Sequence, residues 1–203
     1  MENLRKDIEK AAEILFVKYG IRSVSIDDIC NELHISKKTF YTEYNQKEDL
    51  VSAVLRNINE YNQKEDDKDL TNSKYNMIDV TMRFKQPLQR ERARRNEKFF
   101  RDLDKYYPEV HRKFFEERSS TFKLILVEHL KKGIEEGLFR KDINLDLFPI
   151  FAQRWFLTPL DFGHDKKVKY IDSIIELMMD GYMRMVCNKK GLEYYKKKYC
   201  SEK

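Results

Sequence analysis

Apolar residues return every three or four positions along most of this chain, and little interrupts them. Leu4, Ile8, Ala12, Leu15 and Tyr19 follow that spacing, with Ala11 and Phe16 widening the stripe. One face of a 3.6-residue helix has this period. The 203 residues include only 6 Gly and 4 Pro, too little turn chemistry for many short strands. An all-α fold is therefore expected. The balance of 41% hydrophobic and 37% charged residues excludes collagen-like, mucin-like and linker-dominated chains. No apolar run approaches the roughly 18 residues that would span a bilayer, so no membrane partner is expected. The first ten residues mix charges with single apolar residues, unlike a secretory leader. Cys30, Cys187 and Cys200 match neither a disulfide framework nor a zinc spacing, so reduced thiols and a cytoplasmic setting are expected.

The first helix should end at Gly20, which is free to take positive φ. Ser25 then caps a short helix whose first turn holds Asp27 and Asp28 and whose inner face holds Ile26, Ile29 and Leu33. The chain turns at His34-Ile35-Ser36, and Ser36 caps another short helix through about Tyr44, with Phe40 and Tyr44 inward. A longer helix begins at Lys47-Glu48-Asp49 and buries Leu50, Val54 and Ile58. Two short helices joined by a tight turn, the second showing small polar and basic side chains, form the helix-turn-helix pattern. The polar stretch 63–73 reads as a helix end or a linker. Beyond it come a face of Met77, Val80 and Phe84, a basic run from Arg90 to Arg95, and a long helix from Pro108 to about Glu136, closed by Gly137. Asn144 or Asp146 should cap the next helix, and Asp165 the one after, which runs to about 187 with Gly181 inside it. The tail from Asn188 to Lys203, with 6 Lys and 2 Glu, is expected to be disordered.

Residues 36–44 (SKKTFYTEY) carry the most informative chemistry. A helix N-terminus offers free N–H groups and partial positive charge. Lys37 and Lys38 in the first turn are slightly misplaced for stability, since the dipole disfavours cations there. The placement makes sense against phosphates and base edges in a major groove, where Thr39 and Thr42 can also bond phosphate or touch a thymine methyl. A solvated polar face fits this short stretch equally well. Net charge does not decide between them: residues 1–62 hold 9 Lys/Arg against 11 Asp/Glu, although the whole chain is +5.

The stretch ILFVKYGIRSVSIDDICNELHISKKTFYTEYNQKEDLV resembles the DNA-binding domain of the TetR family of transcriptional regulators. Matching parts are Tyr19-Gly20, the Ser25 cap, Ile29, the Ile35-Ser36-Lys37 turn, Phe40-Tyr41, Tyr44 and Lys47-Glu48-Asp49-Leu50. The departures are His34 and Lys38, where the family favours Gly or a small residue, and Tyr44 in place of Phe. The resemblance implies a three-helix helix-turn-helix domain at 1–46 and a larger helical effector-binding and dimerisation domain at 47–203, with helix 47–62 bridging them. It implies that Lys37, Lys38, Thr39 and Thr42 lie in or beside the major groove. Tyr41 and Lys47 would contact phosphate, and Ser25 and Ser36 would cap and approach the backbone. It also implies a ligand-responsive regulator, a repressor on a palindromic operator in double-stranded DNA, acting as a homodimer through its last two helices (145–160 and 166–187).

The second region holds most of the phenylalanines and the only tryptophan. Mostly these should be core, but Phe84, Phe99, Leu103, Phe122, Gln153, Trp155 and Phe156 are candidate contacts for a partly apolar or aromatic effector. His111 and His129 are candidate polar anchors. They lie 18 apart with no third ligand in register, so no metal is expected. No nucleophilic triad order, Gly-rich phosphate loop or nucleotide fingerprint occurs, so neither a cofactor nor catalysis is expected. Two rival readings are an effector-independent DNA-binding protein and an all-helical binding module that does not bind DNA.

Overall fold

The computed structural model describes residues 2–83, 97–153 and 171–200. Its helices are α1 (Glu2–Tyr19), α2 (Ile26–Glu32), α3 (Lys37–Tyr41), α4 (Lys47–Thr71), α5 (77–83), α6 (Glu97–Tyr106), α7 (Pro108–Glu135), α8 (148–153), α9 (Ile171–Val186) and α10 (Lys189–Tyr199). Among the described residues the only β pairing is a single bridge, Phe139 to Cys187. No described helix is long and apolar enough to cross a membrane. Phe84, Trp155, Phe156, Arg90–Arg95 and the expected cap Asp165 lie outside the described residues.

Local chemistry sets most helix ends. Gly20 closes α1 at φ 89° and Gly137 follows α7 at φ 68°. Pro108 opens α7, where its missing N–H costs no hydrogen bond. Asn144 Oδ1 accepts from the N–H of Asp146 and Leu147 (3.0 and 2.9 Å) ahead of α8.

One helix bound and one expectation need correction. The helix placed at 47–62 continues to Thr71, so the polar stretch after Asn62 is a helix end and not a linker. Glu and Lys are good helix formers even without an apolar stripe. The Lys-rich tail is not disordered through its length: α10 spans Lys189–Tyr199. Asn188 caps it, accepting from Gly191 N (3.0 Å), and Lys196, Lys197 and Lys198 suit the negative end of its dipole. Gly191 lets α10 approach Leu138 closely; a Cβ there would stand 2.1 Å from the Leu138 carbonyl oxygen.

The chain packs as two units. Among the described residues, the first takes 2–62 and 97–118, and the second takes 63–83, 119–153 and 171–200. The first is wider than a three-helix domain. Its core joins Ile8, Ala12 and Phe16 of α1, Ile29 of α2, Phe40 of α3 and Leu50, Val54, Leu55 and Ile58 of α4 to Phe99 and Leu103 of α6 and Phe114 of α7. The second centres on Leu130, Phe139, Tyr182, Met183 and Val186, with Ile78, Ile125, Ile175 and Tyr195 around them.

Two buried carboxylates knit these units internally. Glu9 accepts hydrogen bonds from Tyr44 Oη and from Asn57 Nδ2 (2.6 Å) in the first unit. Burial is the largest single influence and opposes its ionisation, but these two donors together with the charges of Arg5 and Arg56 hold the carboxyl below its usual range. In the second unit Asp79 accepts from Tyr194 Oη (2.9 Å), Tyr199 Oη (2.7 Å) and Lys198 Nζ (2.9 Å), all from α10. Its carboxyl is likewise held low against the opposing effect of burial.

Candidate nucleic-acid interface

Ser25 and Asp28 form a reciprocal cap that fixes the start of α2. Ser25 Oγ accepts from Asp28 N (3.1 Å), and Asp28 Oδ2 accepts from Ser25 N (2.7 Å). The turn after α2 reverses at His34, which adopts the left-handed φ of 53°. Left-handed backbone favours glycine, and histidine is one of the few other residues enriched there. Ile35 N then donates to Cys30 O (3.0 Å), tying the turn to α2. Ser36 Oγ caps α3 by accepting from Thr39 N (3.1 Å).

Helix α3 buries only Phe40, with Tyr44 buried just beyond it. That inward pair turns Lys37, Lys38, Tyr41 and Thr42 to solvent and leaves Thr39 half-buried. Ser25 and Ser36 are also exposed. Seven of the eight residues expected at DNA therefore lie on the exposed α2–turn–α3 region. Two hydroxyls are already engaged: Thr42 Oγ1 donates to Thr39 O (2.6 Å), and Thr39 Oγ1 bonds Ser36 Oγ (2.8 Å). Lys37 Nζ pairs with Asp27 Oδ1 of α2 at 2.8 Å, and this hydrogen bond raises the lysine pKa.

Lys47 is placed differently. Its ammonium donates to the carbonyls of Ile21 (2.5 Å) and Val24, in the loop between α1 and α2. Half-burial lowers its pKa. On the other side of that loop, Arg22 N donates to Asp102 Oδ2 of α6 (2.9 Å) and the Arg22 guanidinium bonds Tyr106 Oη. The segment leading into α2 is thus gripped by α4 and α6.

The candidate effector contacts divide between the two units. Phe99 and Leu103 are fully buried with α1–α4 in the first core. Phe122 packs against the second core, where Gln153 Nε2 donates to Ser119 O (2.5 Å). Neither histidine stands open as a ligand anchor. His129 is buried, with Nε2 bonded to Thr81 Oγ1 (2.7 Å) and Met77 O (3.0 Å) and Nδ1 to Tyr182 Oη (3.3 Å). Burial lowers its pKa to about 4 and keeps it neutral. His111 faces Asp104 at 3.4 Å and the edge of Phe115. On α4, the Nδ2 atoms of Asn59 and Asn62 are shielded and have no hydrogen-bond partner among the described residues.

Sequence reasoning missed Glu9, Asp27 and Asp102 as organising groups. Asp27 was legible only as a helix-dipole residue, since its partner Lys37 lies ten positions on across a turn. Glu9 and Asp102 carry no local signal, because their partners come from other helices.

The comparisons agree with this architecture. Residues 8–54 match the sequence profile described as bacterial regulatory proteins, tetR family. No curated protein matches the sequence. Among solved structures, reduced E. coli NemR superposes with a TM-score of 0.74 at 13% identity, covering 91% of this chain and 97% of that one. A TetR-family regulator from Cytophaga hutchinsonii gives 0.71 at 16% identity, covering 92% and 96%. A putative regulator from Saccharomonospora viridis, solved in complex with choline, gives 0.65 at 15% identity, covering 93% and 100%. Residues 8–54 thus form a DNA-binding domain of the tetR family of bacterial regulatory proteins, in a chain that has the fold of that family's regulators.

Proposed function

We propose that this transcriptional regulator is a repressor that binds a palindromic operator as a homodimer and is released by a partly apolar or aromatic small molecule. The observation that carries the dimer is the second apolar stripe of α9. Ile175, Met179, Tyr182, Met183 and Val186 are buried in the monomer. Ile174, Leu177, Met178, Gly181 and Met185 form another stripe at helical spacing, and none of them is fully buried. Leu177 is 71% exposed, and Leu147, Ile150 and Phe151 before and within α8 are exposed as well. A helix apolar on two sides needs a second partner, and Gly181 permits a close helix approach. A second copy of the chain is the occupant, because a palindrome requires two-fold symmetry.

On DNA, Lys37, Lys38, Thr39 and Thr42 face the major groove, Tyr41 meets phosphate, and Ser25 and Ser36 approach the backbone. Lys47 acts through the loop it holds, placing α2 rather than touching phosphate. Release runs through α4 and α6, which grip the segment before α2: a shift of either moves the recognition helix. The effector draws on the second unit's apolar side chains around Phe122 and on Gln153. The choline complex of the S. viridis regulator supports a small-molecule site in a chain of this fold.

Selection of sites from random duplex DNA tests this reading. The expected result is a palindrome bound by two protomers, lost in Tyr41→Ala, with at least one compound from a small-molecule library weakening binding tenfold or more. Such a compound must favour one conformation by about 1.4 kcal/mol. Binding without a consensus, or as a monomer, overturns it.

A further inference from the structure

We infer that Asp27 is a specificity-determining residue, which withholds Lys37 from phosphates of non-cognate DNA. The inference rests on the assignment of α2 and α3 as the DNA-reading pair. Two acidic residues open α2, and their duties differ. Asp28 is committed to the cap through Ser25 N and Ser25 Oγ, both at 2.7 Å. Asp27 takes no part in that cap and instead meets Lys37 Nζ at 2.8 Å. Both side chains stay open to solvent, 60% for Lys37 and 54% for Asp27. A pair this exposed is weak, because solvent screens it. It is therefore breakable by a well-aligned acceptor, yet it lowers the number of free cations presented by α3.

Non-specific affinity comes from phosphate neutralisation and counterion release, so each lysine that reaches a phosphate adds about 0.9 to the salt slope. With Lys37 held by Asp27, non-cognate DNA meets one cation fewer per protomer. On a cognate site the fit of the whole interface brings an acceptor against Lys37, and the pair opens. The carboxylate thus suppresses background binding more than operator binding, which widens the ratio that governs occupancy in a genome.

The test measures affinity against salt for the full chain on two DNAs: the consensus duplex from site selection and poly(dI-dC) as the non-cognate probe. In Asp27→Asn, poly(dI-dC) binding should tighten about fivefold at low salt, and its slope should steepen by about 0.9 per protomer. The consensus slope should stay unchanged, so the specificity ratio falls. Lys37→Gln gives the mirror result: an unchanged slope on poly(dI-dC) and about 0.9 lost per protomer on the consensus. A purely structural role for Asp27 would shift the melting temperature and leave both slopes alone. The inference is overturned by an unchanged poly(dI-dC) slope in Asp27→Asn, or by a lower one in Lys37→Gln. Should Asp27→Asn fold poorly, the Lys37→Gln arm decides. The poly(dI-dC) measurements need no operator, so failure to recover a consensus would overturn the regulator reading and leave this inference separately decidable.

Discussion

Gly20 sits where three constraints meet. Its φ is 89°, and a Cβ would stand 2.8 Å from Asp102 Oδ2 and 2.9 Å from Lys98 Cβ. Gly20→Ala combines a disfavoured backbone with a clash against a helix, so it should cost about 2–3 kcal/mol in urea unfolding. Two residues on, Arg22 N loses its acceptor if Asp102 shifts to make room. Lys47 holds the same loop from the other side. Lys47→Met leaves the Ile21 and Val24 carbonyls without their ammonium donor and should cost about 1–3 kcal/mol. Because Lys47 is spent on the protein's own backbone, the slope of DNA affinity against salt should not change in that variant. A slope lower by one would return Lys47 to the phosphate-contacting set.

Helix α10 depends on the residue just before it. Asn188 accepts from Gly191 N, and its Nδ2 donates to Gly137 O (2.9 Å) and Phe139 O (3.2 Å), so it caps one helix while satisfying the carbonyls that follow another. Asn188→Ala should lower stability by about 1–2 kcal/mol, read as a shift in the urea midpoint. For α9, Leu177→Glu places a charge in the exposed apolar stripe and should convert the proposed dimer to monomer in sedimentation, with little change in the monomer's own melting. The elements themselves were largely legible: Gly20, Ser25, Ser36, Pro108 and Gly137 end or begin helices through their own backbone chemistry. The reach of α4 to Thr71 was not, because a solvated helix and a polar linker have similar compositions. Helix α10 was hidden by its lysines, although Asn188 and the Leu192–Tyr195–Tyr199 spacing were present in the sequence. Among site residues, those on α3 were legible because Phe40 and Tyr44 set the face. The partners of Lys47 were not legible, because they are carbonyls more than twenty positions away, and backbone carbonyls leave no mark in a sequence.

Over the whole molecule, acid should act in two stages. His129 is neutral and buried with a pKa of about 4, against 6.5 in the open chain. Here the folded value lies below the unfolded one, so the unfolded chain binds the extra proton first. Stability should fall as pH drops from about 6.5 to 4, by about 3 kcal/mol, and His129→Gln should flatten that part of the profile. Glu9 and Asp79 have carboxyls held below their usual range. Their contribution is complete above the ordinary carboxylate pKa and disappears as pH falls through the lowered values, adding a second, steeper loss below about pH 4. Urea midpoints measured across pH 3 to 8 would separate the stages.

The partners of Asp79 also set an order of events during synthesis. Glu9 finds Tyr44 and Asn57 after 35 and 48 residues, whereas Asp79 waits 115 to 120 residues for Tyr194, Lys198 and Tyr199. At a ribosomal pace of roughly 5–20 residues per second, Glu9 waits roughly 2–10 s and Asp79 roughly 6–24 s. The nascent chain can therefore supply hydrogen-bond donors to the polar anchor of its DNA-reading helices early, while the corresponding carboxylate of the second unit stays hydrated until α10 emerges.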